Sequence, residues 1–353
     1  MAQPNGPGRV GVSAAVVKVL RGWLGRLLLA TVGLALVAYL VHGAGPSRVA
    51  RVLLEAGPWL PAIFALEIVQ ILSDVVALHG LLPAERRHIP WALWLRSSAV
   101  AYGMMILLPA GRAAGEVARA TLIAKHIAAP RVAIASTQLQ AGYLIAIATA
   151  SAGACIGVAS GAGARTLLVA LLAANATLIA IAALALIGAL SDARVWHWVE
   201  KLRRRLTRDK APHHTADAVA RRQLGWRTIG VCCGGRAAQL AQYGIILAAI
   251  GGARTARGAL IAHGIHLVGA SLGDLLPNQL GVVDGAYRAF APVLGLAGAP
   301  ERALSIAFVA HAVQLTLATI CVVVASTIGR VGKAVSRSPR SVRAETRDSL
   351  SRS

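Results

Sequence analysis

The chain has 353 residues, 56% of them hydrophobic and only 14% charged, with a mean hydropathy of +0.64 and a formal net charge of +22. A soluble domain carries roughly 25% charged residues, so this composition excludes an ordinary soluble globule and predicts one polytopic membrane domain. A charge of this sign would suggest nucleic acid in a soluble protein, but here most Lys and Arg lie between or outside the apolar runs, where they orient a membrane protein, and nucleic acid is excluded as a partner.

Residues 1–22 form a basic segment, with Arg9, Lys18 and Arg21, ahead of the first apolar stretch. A cleaved signal peptide begins in the same way, but the many later spans favour an uncleaved first helix. At roughly 20 residues per crossing, candidate membrane segments run over 23–42, 58–80, 91–109, 132–160, 165–190, 228–250, 257–277 and 303–328. Two shorter segments, 111–127 and 280–297, are interrupted by glycine and follow directly on Leu-Leu-Pro sequences. The longest polar loop, 191–227, is densely basic, and the Ser-rich basic tail 329–353 is expected to be disordered.

Several polar groups sit inside these segments. Glu67, Gln70 and Asp74 are spaced i, i+3, i+7 in the second; such a stripe is either an ion or proton path or a hydrogen-bonding seam between helices. Trp91 and Trp94, beside Arg96, read as interfacial anchors. Arg236, Gln239 and Tyr243 share one face of 228–250. His263 and His266 are i, i+3 neighbours with no carboxylate spaced to complete a zinc motif, so no metal is expected. His311 and Gln314 pair in the last segment; histidine is the residue type that changes charge near neutral pH, or here a plain core residue. Cys155, Cys232, Cys233 and Cys321 lie in or beside apolar runs without a CxxC and read as small core residues. No P-loop sequence is present, so no cofactor is expected.

The strongest pattern is a repeat. Leu107-Leu-Pro-Ala-Gly-Arg-Ala-Ala-Gly-Glu-Val-Ala-Arg119 returns, altered, as Leu275-Leu-Pro-Asn-Gln-Leu-Gly-Val-Val-Asp-Gly-Ala-Tyr-Arg288, and Glu116 and Asp284 are separated by 168 residues, as are Leu107 and Leu275. Pro109 and Pro277 break helices, and Gly111, Gly115, Gly281 and Gly285 allow tight turns and close backbone approach beside the charges. Either all ten segments cross fully, or 91–127 and 257–297 each enter the membrane partway and return and six other segments cross; the charged segment 111–127 favours re-entry. The termini, Arg86, Arg87, Lys125, Arg131 and the 191–227 loop then share one face, which the positive-inside rule makes cytoplasmic. The two re-entrant pairs open to opposite sides, as in transporters with inverted repeats.

Arg112, Glu116 and Arg119 share a helical face, and Asp284 and Arg288 are spaced i, i+4. A charge at mid-bilayer costs about 2.5–3.5 kcal/mol on insertion scales, so these five groups must pair or line a wet cavity. In the functional reading, Arg binds phosphate and the acids bind a cation or proton. In the structural reading, two ion pairs hold broken helices together.

These motifs resemble the lysylphosphatidylglycerol synthase transmembrane-region family, also called flippase-like. Pro109 to Arg119 is similar to its proline, glycine, Gly-Glu and Arg signature. Leu280-Gly-Val-Val-Asp-Gly-Ala286 and Ala299-Pro-Glu-Arg-Ala-Leu304 are similar to its Gly-Val-Val-Glu-Gly and Pro-Glu-Arg-Ala runs. The resemblance extends over about residues 20–328. It implies an inner-membrane protein related to carriers of aminoacyl-phospholipid. Members of similar length accompany hopanoid-synthesis genes, so it also admits a hopanoid-related lipid. Asp284 stands where the family usually has Glu, Asn278 and Gln279 where glycines are common, and His311 where Arg is frequent. With Ser353 the last residue, the resemblance implies the transport half of such a synthase and not its soluble aminoacyl-transferase half.

The sequence thus predicts an all-α polytopic protein of the bacterial inner membrane with inverted repeats, two re-entrant broken-helix pairs and cytoplasmic termini. Its expected role is translocation of a lipid, without catalysis, through a groove lined by Arg112, Glu116, Arg119, Asp284 and Arg288. Glu67, Asp74, Arg236 and His311 form a secondary polar set. The alternatives are a membrane-embedded lipid-modifying enzyme and a non-catalytic scaffold for lipid-synthesis enzymes. Membrane lipids are the expected partners, with lipid-synthesis enzymes as further candidates.

Overall fold

Inside a bilayer a backbone must satisfy its own hydrogen bonds, and runs rich in Ala and Leu do so readily as helix. All regular secondary structure among the described residues is accordingly helical. The structure, a computed structural model, describes residues 31, 35–82, 87, 89–108, 111–124, 126–127, 129–161, 166–191 and 224–337. Pro109, Lys125, the N-terminal segment, most of the 191–227 loop and the end of the tail lie outside the described residues.

The helices are α1 (Ala35–Ala44), α2 (Pro46–Glu55), α3 (Leu60–Leu81), α4 (Trp91–Leu107), α5 (Gly111–Ile123), α6 (Ala129–Ala159), α7 (Thr166–Ser191), α8 (Trp226–Ala249), α9 (Ala256–Gly273), α10 (Val282–Ala289) and α11 (Pro300–Arg337). Among the described residues, four stretches are long and apolar enough to cross a membrane: Gly57–Leu81, Arg131–Ala159, Leu167–Leu190 and Pro300–Thr327. The starts are set locally. Proline occupies the first turn of α2 and α3, where a missing N–H costs nothing. Thr255 caps α9 by accepting from the Gly258 amide at 3.0 Å. The expected helical segment 280–297 is shorter than predicted. α10 stops at Ala289, Ala291–Leu294 is a 3-10 turn carrying Pro292, and Gly295 takes the left-handed conformation (φ 75°).

Two hydrophobic clusters organise the interior. One gathers Tyr243, Ile246 and Leu247 of α8, Ile261 and Ile265 of α9, Tyr287 of α10 and Ile306 of α11. The other packs Leu78, Trp94 and Leu139 from α3, α4 and α6. Trp94 is therefore a core residue, set edge-on to His79, whereas Trp91 stacks on His79 and remains exposed. The outward faces stay apolar: Ile68, Leu72 and Val76 on α3, Leu178, Ile181 and Leu184 on α7, and Val322, Val323 and Val324 on α11 are all exposed. Burying such a side chain is worth roughly 1.5–3 kcal/mol, and only a hydrocarbon surrounding supplies that here.

Two antiparallel helical hairpins carry the repeated motif. In the first, a Cβ added at Gly111 would fall within 3.0 Å of the Met104 and Met105 carbonyls, and one at Gly115 within 3.0 Å of the Ala101 carbonyl. Glycine here is what lets α5 lie directly on α4. In the second, Gly269 lies against Val283, and Gly273 against Gln279 and Val282. The Tyr287 hydroxyl donates to the Ala262 carbonyl at 2.8 Å. The offset of 168 residues carries the contact Ala101–Gly115 onto Gly269–Val283. The close approach is the same, with the glycine moved to the other helix.

Candidate functional site

A cavity of about 360 Å³ opens where α3, α4, α5, α6, α8, α9 and α11 converge. The polar stripe of α3, the charged face of α5, Arg236 of α8, Asp274 after α9 and the turn Pro277–Gln279 all reach it.

Arg119 is its most buried cation, 3% exposed, held between Asp74 at 3.5 Å and Glu116 at 3.3 Å. The i, i+3 spacing on α5 delivers Glu116, while Asp74 comes from α3. The second Glu116 oxygen is buried and has no hydrogen-bond partner among the described residues. Arg112 also lines the cavity, with no carboxylate within 4.0 Å among the described residues. Arg236 lies over the ring of Tyr143, 5.6 Å from its centroid, and donates to the Gln239 side-chain oxygen. That oxygen also meets Nε2 of His263 at 3.1 Å.

Glu67 makes no ion pair within 4.0 Å among the described residues. Tyr102 donates to its Oε1 at 2.7 Å, and Gln242 donates to its Oε2 at 2.8 Å, with Gln70 at 3.4 Å. A buried carboxyl (3% exposed) satisfied wholly by neutral donors is a hydrogen-bonding seam joining α3, α4 and α8. Of the two readings of the α3 stripe, Glu67 thus matches the seam and Asp74 the charged path. Tyr102 and Gln242 were not singled out in the sequence. Gln242, three residues after Gln239 in an apolar run, was findable by spacing; a tyrosine in an apolar helix carries no such signal.

The second motif behaves differently. Asp284 and Arg288 do not line the cavity and form no ion pair with each other. Asp284 is fully buried because α10 starts at Gly281 (φ 81°) and needs a cap: Oδ2 accepts from the Gly281 amide at 2.7 Å. The same oxygen lies 3.5 Å from His311 Nε2, and His311 Nδ1 meets the Asn278 amide at 3.0 Å. Asn278 and Gln279 both have positive φ, 48° and 57°, which is the conformation that suits glycine. Arg288 turns instead toward α1, where a Cβ on Gly43 would meet its guanidinium at 3.3 Å. The two hairpins thus share a close helix approach, while Asp284 and Arg288 do not take the places of Glu116 and Arg119. Pro277 and Gly281 border the break; Gly285 has open space beside it.

His263 and His266 stack with Tyr243 in the core. No group of three His, Cys, Asp or Glu among the described residues could hold a metal.

The model of the lysylphosphatidylglycerol synthase TM region matches residues 23–321. The chain belongs to that family. This family is the membrane region of a lipid-related synthase type, not its catalytic domain, and membership together with the four apolar helices makes the chain a multi-pass membrane protein. No curated protein and no solved structure matches the chain.

Proposed function

We propose that this family member moves a lipid between the two leaflets of the bacterial inner membrane, the headgroup passing through the charged cavity while the tails stay in hydrocarbon. The observation that carries this reading is the Arg119–Asp74–Glu116 cluster facing a cavity inside helices whose outer faces are apolar. A purely structural ion pair would be expected to close upon itself. Here Glu116 keeps an unpartnered oxygen, and Arg112 and Arg236 add two cations with no carboxylate within 4.0 Å among the described residues. The two hairpins act as re-entrant elements of an inverted repeat, opening alternately to each leaflet, and both termini lie in the cytoplasm. Asp284, Arg288 and His311 serve the second hairpin by setting its tip and its contact with α1.

Purified protein in liposomes, with lipids labelled on phospho, aminoacyl-phospho and hopanoid-type headgroups, tests this directly. Transbilayer movement should occur with wild type and be lost in Glu116→Gln and Asp74→Asn. Wild type that moves no lipid under an imposed pH gradient, while a chemically altered lipid accumulates, would replace translocation by the lipid-modifying enzyme.

A further inference from the structure

We infer that His311 and Asp284 form a proton-binding site behind the cavity wall, and that a proton taken up there releases the turn Pro277–Gln279 from α11. Only the consequence for transport rests on the lipid reading of the cavity; the proton site does not.

Both residues are buried, His311 on α11 and Asp284 on α10. His311 Nε2 faces Asp284 Oδ2 at 3.5 Å. Neither Nε2 nor the second Asp284 oxygen, Oδ1, has a hydrogen-bond partner among the described residues. The other ring nitrogen decides what a proton does here. The Asn278 side-chain nitrogen lies 3.0 Å from His311 Nδ1. An amide NH2 only donates, so Nδ1 accepts and the neutral ring carries its proton on Nε2, toward Asp284. An imidazolium has an N–H on both nitrogens. Its Nδ1–H would face the Asn278 N–H, donor against donor, while its Nε2–H gains a charge-assisted contact with Asp284.

Asn278 is also where the hairpin tip meets the cavity. It lines that space together with Gln279, and both hold positive φ, 48° and 57°. Such a backbone persists only where its surroundings hold it, and the bond to His311 ties it to α11. The neighbouring titratable groups leave the pair to itself. His266 of α9 interacts electrostatically with His311, and Tyr243 of α8 and Tyr287 of α10 with Asp284. The Tyr287 hydroxyl is committed to the Ala262 carbonyl, and Arg288 turns toward α1. On α4, Arg96 donates to the Ala325 carbonyl and Tyr102 to Glu67 of α3. On α2, Arg48, Arg51 and Glu55 are exposed. None of these forms an ion pair with His311 or Asp284 among the described residues.

A bimane fluorophore on Leu275→Cys reads the turn in the full chain, with the four native cysteines replaced, in detergent micelles. Leu275 is exposed and stands two residues before Pro277. Emission should change sigmoidally between about pH 5 and 8. The change should vanish in His311→Gln. Asn278→Asp puts an acceptor opposite Nδ1–H, so the turn stays bonded to the protonated ring and the acid-induced change should be lost. Asp284→Asn keeps an acceptor for the Gly281 amide but removes the charge, and should lower the midpoint by about one pH unit, a tenfold loss of proton affinity. It also keeps the test decisive if His311→Gln does not fold. A change that persists in His311→Gln, or an unmoved midpoint in Asp284→Asn, overturns the proton site. Emission constant with pH in the parent, or an undiminished change in Asn278→Asp, overturns the release of the turn. Movement of labelled lipid in liposomes is read on both sides of the midpoint. A reporter that titrates in a protein that moves no lipid at either pH removes the translocation reading alone. Lipid movement with a reporter that does not titrate removes this inference alone.

Discussion

Arg119 is the residue on which the cavity is balanced. Removing it takes from Asp74 and Glu116 the cation they share, and breaking a buried pair from one side costs about 3–5 kcal/mol. Arg119→Met is expected to lower the unfolding temperature of the purified protein sharply. The triple variant Arg119→Met, Asp74→Asn, Glu116→Gln removes the charges together and should regain most of that stability, since neutral replacements of buried ion pairs are well tolerated. It should still move no lipid. A triple variant as active as wild type would reduce the cluster to a structural one. At Glu67 the prediction is different. Glu67→Gln turns one acceptor oxygen into an amide N–H, set against the donors from Gln242 and Tyr102. A loss of about 1–3 kcal/mol is expected, measured by thermal unfolding in detergent, with Arg119 undisturbed.

At the scale of the element, the two hairpins have different weak points. α5 lies on α4 through Gly115, whose missing Cβ would sit 2.5 Å from the Ala101 carbonyl oxygen. Gly115→Val must force the helices apart, at about 1–3 kcal/mol, and carries Glu116 and Arg119 away from Asp74 with them. Transport should therefore fall further than stability does. The tip of the second hairpin stores strain at two adjacent non-glycine residues with positive φ, each costing of the order of 1–3 kcal/mol. Gln279→Gly relieves that strain and should raise the unfolding temperature. Asn278→Gly relieves it too but gives up the bond to His311, so its gain should be smaller. Equal gains from both would show that the contact from Asn278 to His311 contributes nothing.

For the whole molecule, the proposed topology makes a prediction about sides. If α4 and α5 re-enter, Arg87 and His126 lie on one face of the membrane. If α9 and α10 do so from the other side, Arg254 and Gly298 lie on the opposite face. All four positions are exposed, so single cysteines can be placed there in a chain whose four native cysteines are replaced. Impermeant thiol reagents on sealed, oriented vesicles should label Arg87→Cys and His126→Cys from one side and Arg254→Cys and Gly298→Cys from the other. Arg87→Cys and His126→Cys labelled from opposite sides would mean that only one of α4 and α5 crosses the membrane.

Composition and periodicity alone determined the solvent of this protein, its helical class and most of its segments, because the need to satisfy the backbone in hydrocarbon leaves little choice. At the second motif the local chemistry is visible directly: Pro277 opens a 3-10 turn and Gly281 starts α10 with a positive φ, because Pro and Gly act through local backbone geometry. The charged face of α5 was legible for the same reason: i, i+4, i+7 spacing is a property of one helix. What the spacing could not say is which carboxylate Arg119 would choose. Its partner Asp74 lies 45 positions earlier on α3, brought there only by packing. Asp284 shows the same limit. By sequence it matched Glu116, but a helix start at Gly281 with positive φ demanded a cap, and the carboxylate went to the amide and not to the cavity. Local chemistry is written in neighbouring residues; the assignment of each charge to a ligand space, a partner or a helix end is a long-range choice that only the folded arrangement makes.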